Sequence, residues 1–178
     1  MGQEDLKYPV GRFAAPSPLT EAVVKRWIDE IERLPASLRA AVDPLTPAQI
    51  DTPYRTGGWR VGQVVHHLAD SHLNSFIRFK WTLTEDRPTI KPYLQDRWAE
   101  LPDSAGMPVG PSLRILEGVH ERWVRLLRSL DASDLQREFL HPESGPARLE
   151  RVVGLYAWHG RHHLAQITLL AERSGWGA

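Results

Sequence analysis

The chain has 178 residues, 42% of them hydrophobic and 25% charged, and its 22 basic side chains balance 22 acidic ones. That is the size and make-up of one globular domain spanning residues 1–178, and zero net charge gives no reason to expect a nucleic acid or an anionic membrane as partner. There is no cysteine, which excludes disulfides, thiolate–zinc sites and thiol nucleophiles and leaves histidine and carboxylate as the strong metal ligands.

Residues 1–18 read as an irregular N-terminal arm. Met1 to Lys7 is polar and acidic, unlike a secretory signal, and no apolar run reaches membrane-spanning length. Pro9, Pro16 and Pro18 interrupt helix, while Tyr8 and Phe13 are available to dock on the body. A first long helix is expected from Leu19 to about Ala41, where Val23, Val24, Trp27, Ile28, Ile31, Leu34 and Leu38 recur at helical spacing. Thr20 or Ser17 caps it, and Pro35 kinks it or splits it in two.

Thr46 and Pro47 open a short helix, and residues 52–58 form a loop. The second long helix runs from about Arg60 to Thr84. Within it His67, Ser71, Asn74 and Arg78 follow one another at three- and four-residue steps between apolar flanks, a polar row that suits a pocket wall. Glu85 to Pro111, with prolines at 88, 92, 102, 108 and 111, is a long connection held down by Tyr93 and Trp98, and such connections serve as lids or crossovers. A third long helix covers about Ser112 to Leu130, followed by a short turn or helix from Asp131. A small hairpin lies around Glu143-Ser144-Gly145, and a fourth long helix runs from about Glu150 to Ser174, stopped by Gly175. Four long amphipathic helices with one long connection between the second and third predict an all-α four-helix bundle. Bundle cores are a usual place for metal sites.

His159 and His163 are four apart on the fourth helix, hence on one face and one turn apart. Two imidazoles so placed can close on one metal ion, as in the HExxH metalloproteases. A second cluster, His66, His67 and His72, lies on the second helix. If the two helices pack side by side, three imidazoles converge. A slightly rotated helix would bring in His66 or His162 instead. His72, His120 and His141 read as surface or satisfied core histidines, and a bundle whose histidines merely pack is the plainest alternative.

The segment Trp59-Arg60-Val61-Gly62-Gln63-Val64-Val65-His66-His67-Leu68-Ala69-Asp70-Ser71-His72 resembles the first histidine motif of the DinB-like superfamily. Tyr156-Ala157-Trp158-His159-Gly160-Arg161-His162-His163-Leu164-Ala165-Gln166-Ile167 resembles its second. Within that superfamily the chain is most similar to the YfiT group, whose activity is given as metal-dependent hydrolysis. The likeness extends through Tyr8-Pro9-Val10-Gly11, Arg78-Phe79-Lys80, the stretch from Thr84 to Tyr93, and His141-Pro142-Glu143-Ser144-Gly145. The resemblance implies a four-helix bundle of DinB/YfiT type and a homodimer in the cytoplasm. It also implies one divalent metal, zinc or nickel, held by His67, His159 and His163. Other DinB-like proteins are thiol-dependent transferases and isomerases.

Three neutral imidazoles leave metal positions open, the mark of a catalytic site. Water activated there gives a hydrolase acting on a small-molecule substrate. A low-molecular-weight thiol at the same position gives an S-transferase in detoxification, and a fully occupied metal gives a non-enzymatic stress protein. Asn74 and Arg78 are candidates for binding an anionic group or orienting substrate, and Gln166 for orienting a ligand or the water. The carboxylate base of HExxH is missing between His159 and His163, and Asp70 and Glu117 are possible substitutes.

Overall fold

In chain order the elements are α1 (Gln3–Lys7), α2 (Glu21–Val42), α3 (Pro47–Ile50), α4 (Val61–Thr84), α5 (Gln95–Trp98), α6 (Gly110–Ser129), α7 (Ala132–Gln136), β1 (Glu138–His141), β2 (Gly145–Arg148) and α8 (Leu149–Arg173). They come from a computed structural model that describes residues 2–176; Met1, Gly177 and Ala178, the ends of the expected domain, lie outside the described residues. The four long helices form the bundle. Both α2 and α4 pack against α6 and α8, which sets α2 and α4 on one diagonal. The strands make a two-stranded antiparallel hairpin with Glu138 opposite Arg148 and His141 opposite Gly145. Among the described residues no helix is long and apolar enough to cross a membrane.

Helix α2 starts at the Thr20 cap, whose hydroxyl accepts from the Val23 N–H. Its buried stripe of Val24, Trp27, Ile28, Ile31, Leu34, Leu38 and Val42 follows three- and four-residue steps. Pro35 does not split it: one helix runs from Glu21 to Val42. A proline here cannot donate to the carbonyl four residues earlier, that of Ile31. The freed Ile31 oxygen accepts instead from His120 Nδ1 on α6, at 2.6 Å. The missing intrahelical bond is thus replaced by one that crosses the bundle.

The arm is less irregular than expected, because α1 forms a short helix inside it, with the Asp5 carboxylate accepting from the Gly2 N–H. Beyond α1 the arm docks through its aromatic residues. Tyr8 lies 5.7 Å from the His162 ring, Phe13 sits near Trp27 and Trp158, and Trp158 Nε1–H donates to the Gly11 carbonyl. The long connection is also pinned. Ile90 is buried in the core, its N–H donates to the Leu140 carbonyl, and the Leu140 N–H donates to that of Pro88.

Two glycines set how closely α8 approaches α2. A Cβ built on Gly154 would fall 2.6 Å from the Trp27 ring, and one on Gly160 would fall 2.6 Å from Leu34. Helix propensity alone would favour alanine over glycine by about 1 kcal/mol. Overpacking against a rigid indole costs about 1–3 kcal/mol and should win. Gly154→Ala is therefore expected to lower the urea midpoint with an unchanged m-value, whereas a rise would mean that the helices part easily.

Candidate metal centre

His67 on α4 and His159 and His163 on α8 meet inside the bundle. One ring nitrogen from each lies within 4.8 Å of the other two. The Nε2 atoms of His67 and His159 are 3.2 Å apart. Two nitrogens about 2.0–2.1 Å from one zinc at a tetrahedral angle are about 3.3 Å apart, so the spacing suits a shared ion.

The outer partners determine which nitrogen of each α8 histidine carries the hydrogen. The Ile31 carbonyl can only accept, so His120 is protonated on Nδ1 and its Nε2 is a bare acceptor. His72 Nδ1–H then donates to that Nε2 at 2.9 Å, which leaves His72 Nε2 as acceptor. His159 Nδ1–H donates to it at 3.1 Å. The relay ends with the His159 Nε2 lone pair facing His67. A second chain fixes His163. The Lys7 carbonyl accepts from Gln166 Nε2 at 3.2 Å, which turns the amide so that Oε1 accepts from His163 Nδ1–H at 2.8 Å. Both α8 histidines thus hold Nε2 free of hydrogen, the state a metal requires. The arm, through Lys7, belongs to this support.

Burial keeps these rings neutral. It pushes His67 and His120 down to about 4 and, with the neighbouring imidazoles, holds His72, His159 and His163 well below the usual histidine range. The unfolded chain binds protons near pH 6.5, where the folded chain does not. Stability of the metal-free protein is therefore full above about pH 6.5 and falls as pH drops toward 4. Urea midpoints measured between pH 8 and pH 4 should decline across that window. A flat profile would mean that these histidines are not buried neutral.

The neighbouring histidines serve elsewhere. His66 is bonded to Ser112 Oγ at 2.7 Å and to the Met107 carbonyl at 3.1 Å, away from the cluster. His162 stacks on Trp158 at 4.7 Å between ring centres, and its Nε2 accepts from Gln166. His72 and His120, expected as surface or satisfied core residues, are core residues joined to His159.

Two clefts meet at the cluster. One, of about 540 Å³, is lined by all three histidines with Trp59, Trp158 and Tyr8. The other, of about 650 Å³, is lined by His159 with Ser71, Arg78, Tyr93 and Tyr156. Asp96 and Gln95 from the long connection border both. Of the polar row expected to wall a pocket, His67, Ser71 and Arg78 do so. Asn74 does not: its Nδ2–H donates to the Asp70 carbonyl of its own helix, and it lines neither cleft. The suggested bases are also misplaced. Glu117 is tied to Arg39 on α2 at 2.6 Å. Asp70, raised to about 6 by burial and then by Asp103, borders neither cleft. Asp96 was not anticipated, because nothing in its local sequence points toward the bundle.

The sequence and fold have known counterparts. A model of the DinB superfamily matches residues 22–167. The chain is 56% identical over 173 residues to a Bacillus mycoides (strain KBAB4) protein named "Putative metal-dependent hydrolase BcerKBAB4_2443", covering 97% of this chain and 99% of that one. It is also 56% identical over 172 residues to a Bacillus cereus (strain 03BB102) protein named "Putative metal-dependent hydrolase", with the same coverage. A solved structure, "YfiT from Bacillus subtilis is a probable metal-dependent hydrolase with an unusual four-helix bundle topology", superposes with a TM-score of 0.94 at 46% identity, over 97% of this chain and 99% of that one. With a family model spanning most of its length and relatives this similar end to end, the chain belongs to the DinB superfamily.

Proposed function

We propose that this protein is a metal-dependent hydrolase of a small molecule, with His67, His159 and His163 as ligands of one divalent ion, zinc or nickel. The observation that supports this most is the pair of hydrogen-bond chains that leave His159 and His163 with Nε2 lone pairs beside His67, next to an open cleft. The names of the relatives point the same way. A divalent ion held there supplies a Lewis acid and lowers the pKa of bound water. The chain's own residues do the rest. Trp59 packs on His67 at 4.7 Å and on His163 at 6.4 Å between ring centres, walling one side of the cleft and limiting water. Asp96, the carboxylate that borders both clefts, is the candidate to take up the proton released by attack.

The test is a panel of esters, amides and lactones with protein stripped of metal and then resupplied. Turnover should vanish on stripping, return with zinc or nickel, and need no thiol. Turnover that survives stripping contradicts the reading.

The two-lobed cleft gives the thiol S-transferase reading its own support, since lobes meeting at His159 can seat a thiol and an electrophile together. Thiol loss that requires both protein and electrophile would favour it. We also propose the homodimer. Leu73, Ile77 and Trp81 form an exposed apolar stripe along α4 that supports it, and Trp81→Glu should then shift sedimentation toward the monomer.

A further inference from the structure

Arg78 is the least explained charge in the molecule. It projects from α4 and is 9% exposed. Among the described residues its guanidinium makes one hydrogen bond, from Nη2 to the Lys91 carbonyl at 3.1 Å, and no ion pair. A guanidinium has five N–H groups and a charge that is costly to bury without an anion. This one lines the 650 Å³ cleft that ends at His159. The same cleft is lined by three hydroxyls: Tyr93, Tyr156, and Ser71, whose Oγ–H donates to the Tyr156 hydroxyl oxygen at 3.4 Å. The other charges on the lining are Arg97, Asp96 and Glu143. Two cations and two anions make the lining neutral as a whole, but neither carboxylate is ion-paired with Arg78.

We infer that this cleft binds a carboxylate of the substrate, with the planar fork of Arg78 as its main partner. The inference rests on the hydrolase reading, because it takes the far end of the same substrate to lie at the three histidines. One buried guanidinium without an ion pair, in a lining that is neutral as a whole, suits a monoanionic carboxylate better than a dianionic phosphate. The spacing sets the length. Arg78 follows His67 by eleven residues on one helix, a rise of about 16 Å. Both side chains lean toward the helix N-terminus, and arginine reaches further than histidine, so the gap between their tips is somewhat shorter than that rise. The substrate class is therefore an ester, amide or lactone whose carboxylate stands well away from the reacting carbonyl, at the far end of the molecule.

The test uses metal-loaded protein and linear hydroxamates of four to eight carbons that end either in a carboxylate or in the matching primary amide. The hydroxamate seeks the metal, and only the tail differs. Calorimetry of the wild type should show the best carboxylate binding about 10–100-fold tighter than its amide, the usual worth of a charge-assisted hydrogen-bonded pair. The advantage should peak at the longer chains, disappear in Arg78→Gln, and return in part in Arg78→Lys. The amides should bind Arg78→Gln as they bind the wild type, which separates this role from that of holding Lys91. Equal affinities at every length in the wild type, or an advantage that persists in Arg78→Gln, overturns the inference and leaves the hydrolase reading standing. If no hydroxamate binds even with metal supplied, both fall together.

Discussion

His163→Ala is expected to abolish stoichiometric binding of zinc or nickel, and His159→Ala to do the same. Each removes a ligand atom outright, so the loss should exceed the roughly 10–100-fold typical of losing a partner behind a ligand. The effect should also appear as lost stabilisation. A ligand at 100 times its Kd stabilises the folded state by about 2.7 kcal/mol. In a chain of this size, 1 kcal/mol moves the melting temperature by about 2–4 °C, so saturating metal should raise Tm of the wild type by about 5–11 °C. Melting curves of the two variants should not move when metal is added. A variant that still gains several degrees would show that His67 and the remaining histidine suffice, or that the ion sits elsewhere.

The second large effect concerns residues that never touch the ion. His120→Phe should weaken metal binding by about 10–100-fold from a position on α6. The change removes the acceptor of His72 Nδ1–H, so the tautomer of His72 and the orientation of His159 are no longer fixed. It also orphans the Ile31 carbonyl, and a buried unpaired polar group costs about 1–3 kcal/mol. The two consequences can be separated. Adding Pro35→Ala restores an N–H four residues after Ile31, able to pair with that carbonyl within α2. The double variant should regain much of the stability while metal affinity stays low. If affinity recovers along with stability, His120 acts only through packing and the relay does not position His159.

The bundle was legible because its helices carry long three-and-four patterns, and short signals such as Thr20 and Gly175 marked their ends. The histidine pair on α8 was legible for the same reason, since four-residue spacing puts both rings on one face. What lay beyond reach depends on partners distant in sequence. Pro35 reads as a helix breaker because the donor that replaces its missing N–H is on His120, 89 residues beyond the Ile31 carbonyl it pairs with. His72 and His120 had no periodic signal of their own, because the relay exists only where α4, α6 and α2 meet. Asn74 fitted the polar row by spacing, but a side chain that can bond its own backbone need not face a pocket. Glu117 illustrates the converse: a carboxylate suggested as base is committed to an arginine on the neighbouring helix.

In the proposed site one divalent ion is held by His67 together with His159 and His163, the latter two aligned by the chains through His72 and Gln166. Elemental analysis of the untagged wild-type protein, purified with neither added metal nor chelator, tests it most directly. One zinc or nickel per chain is the expected result. Protein that emerges metal-free, and takes up no zinc when it is supplied, would contradict it.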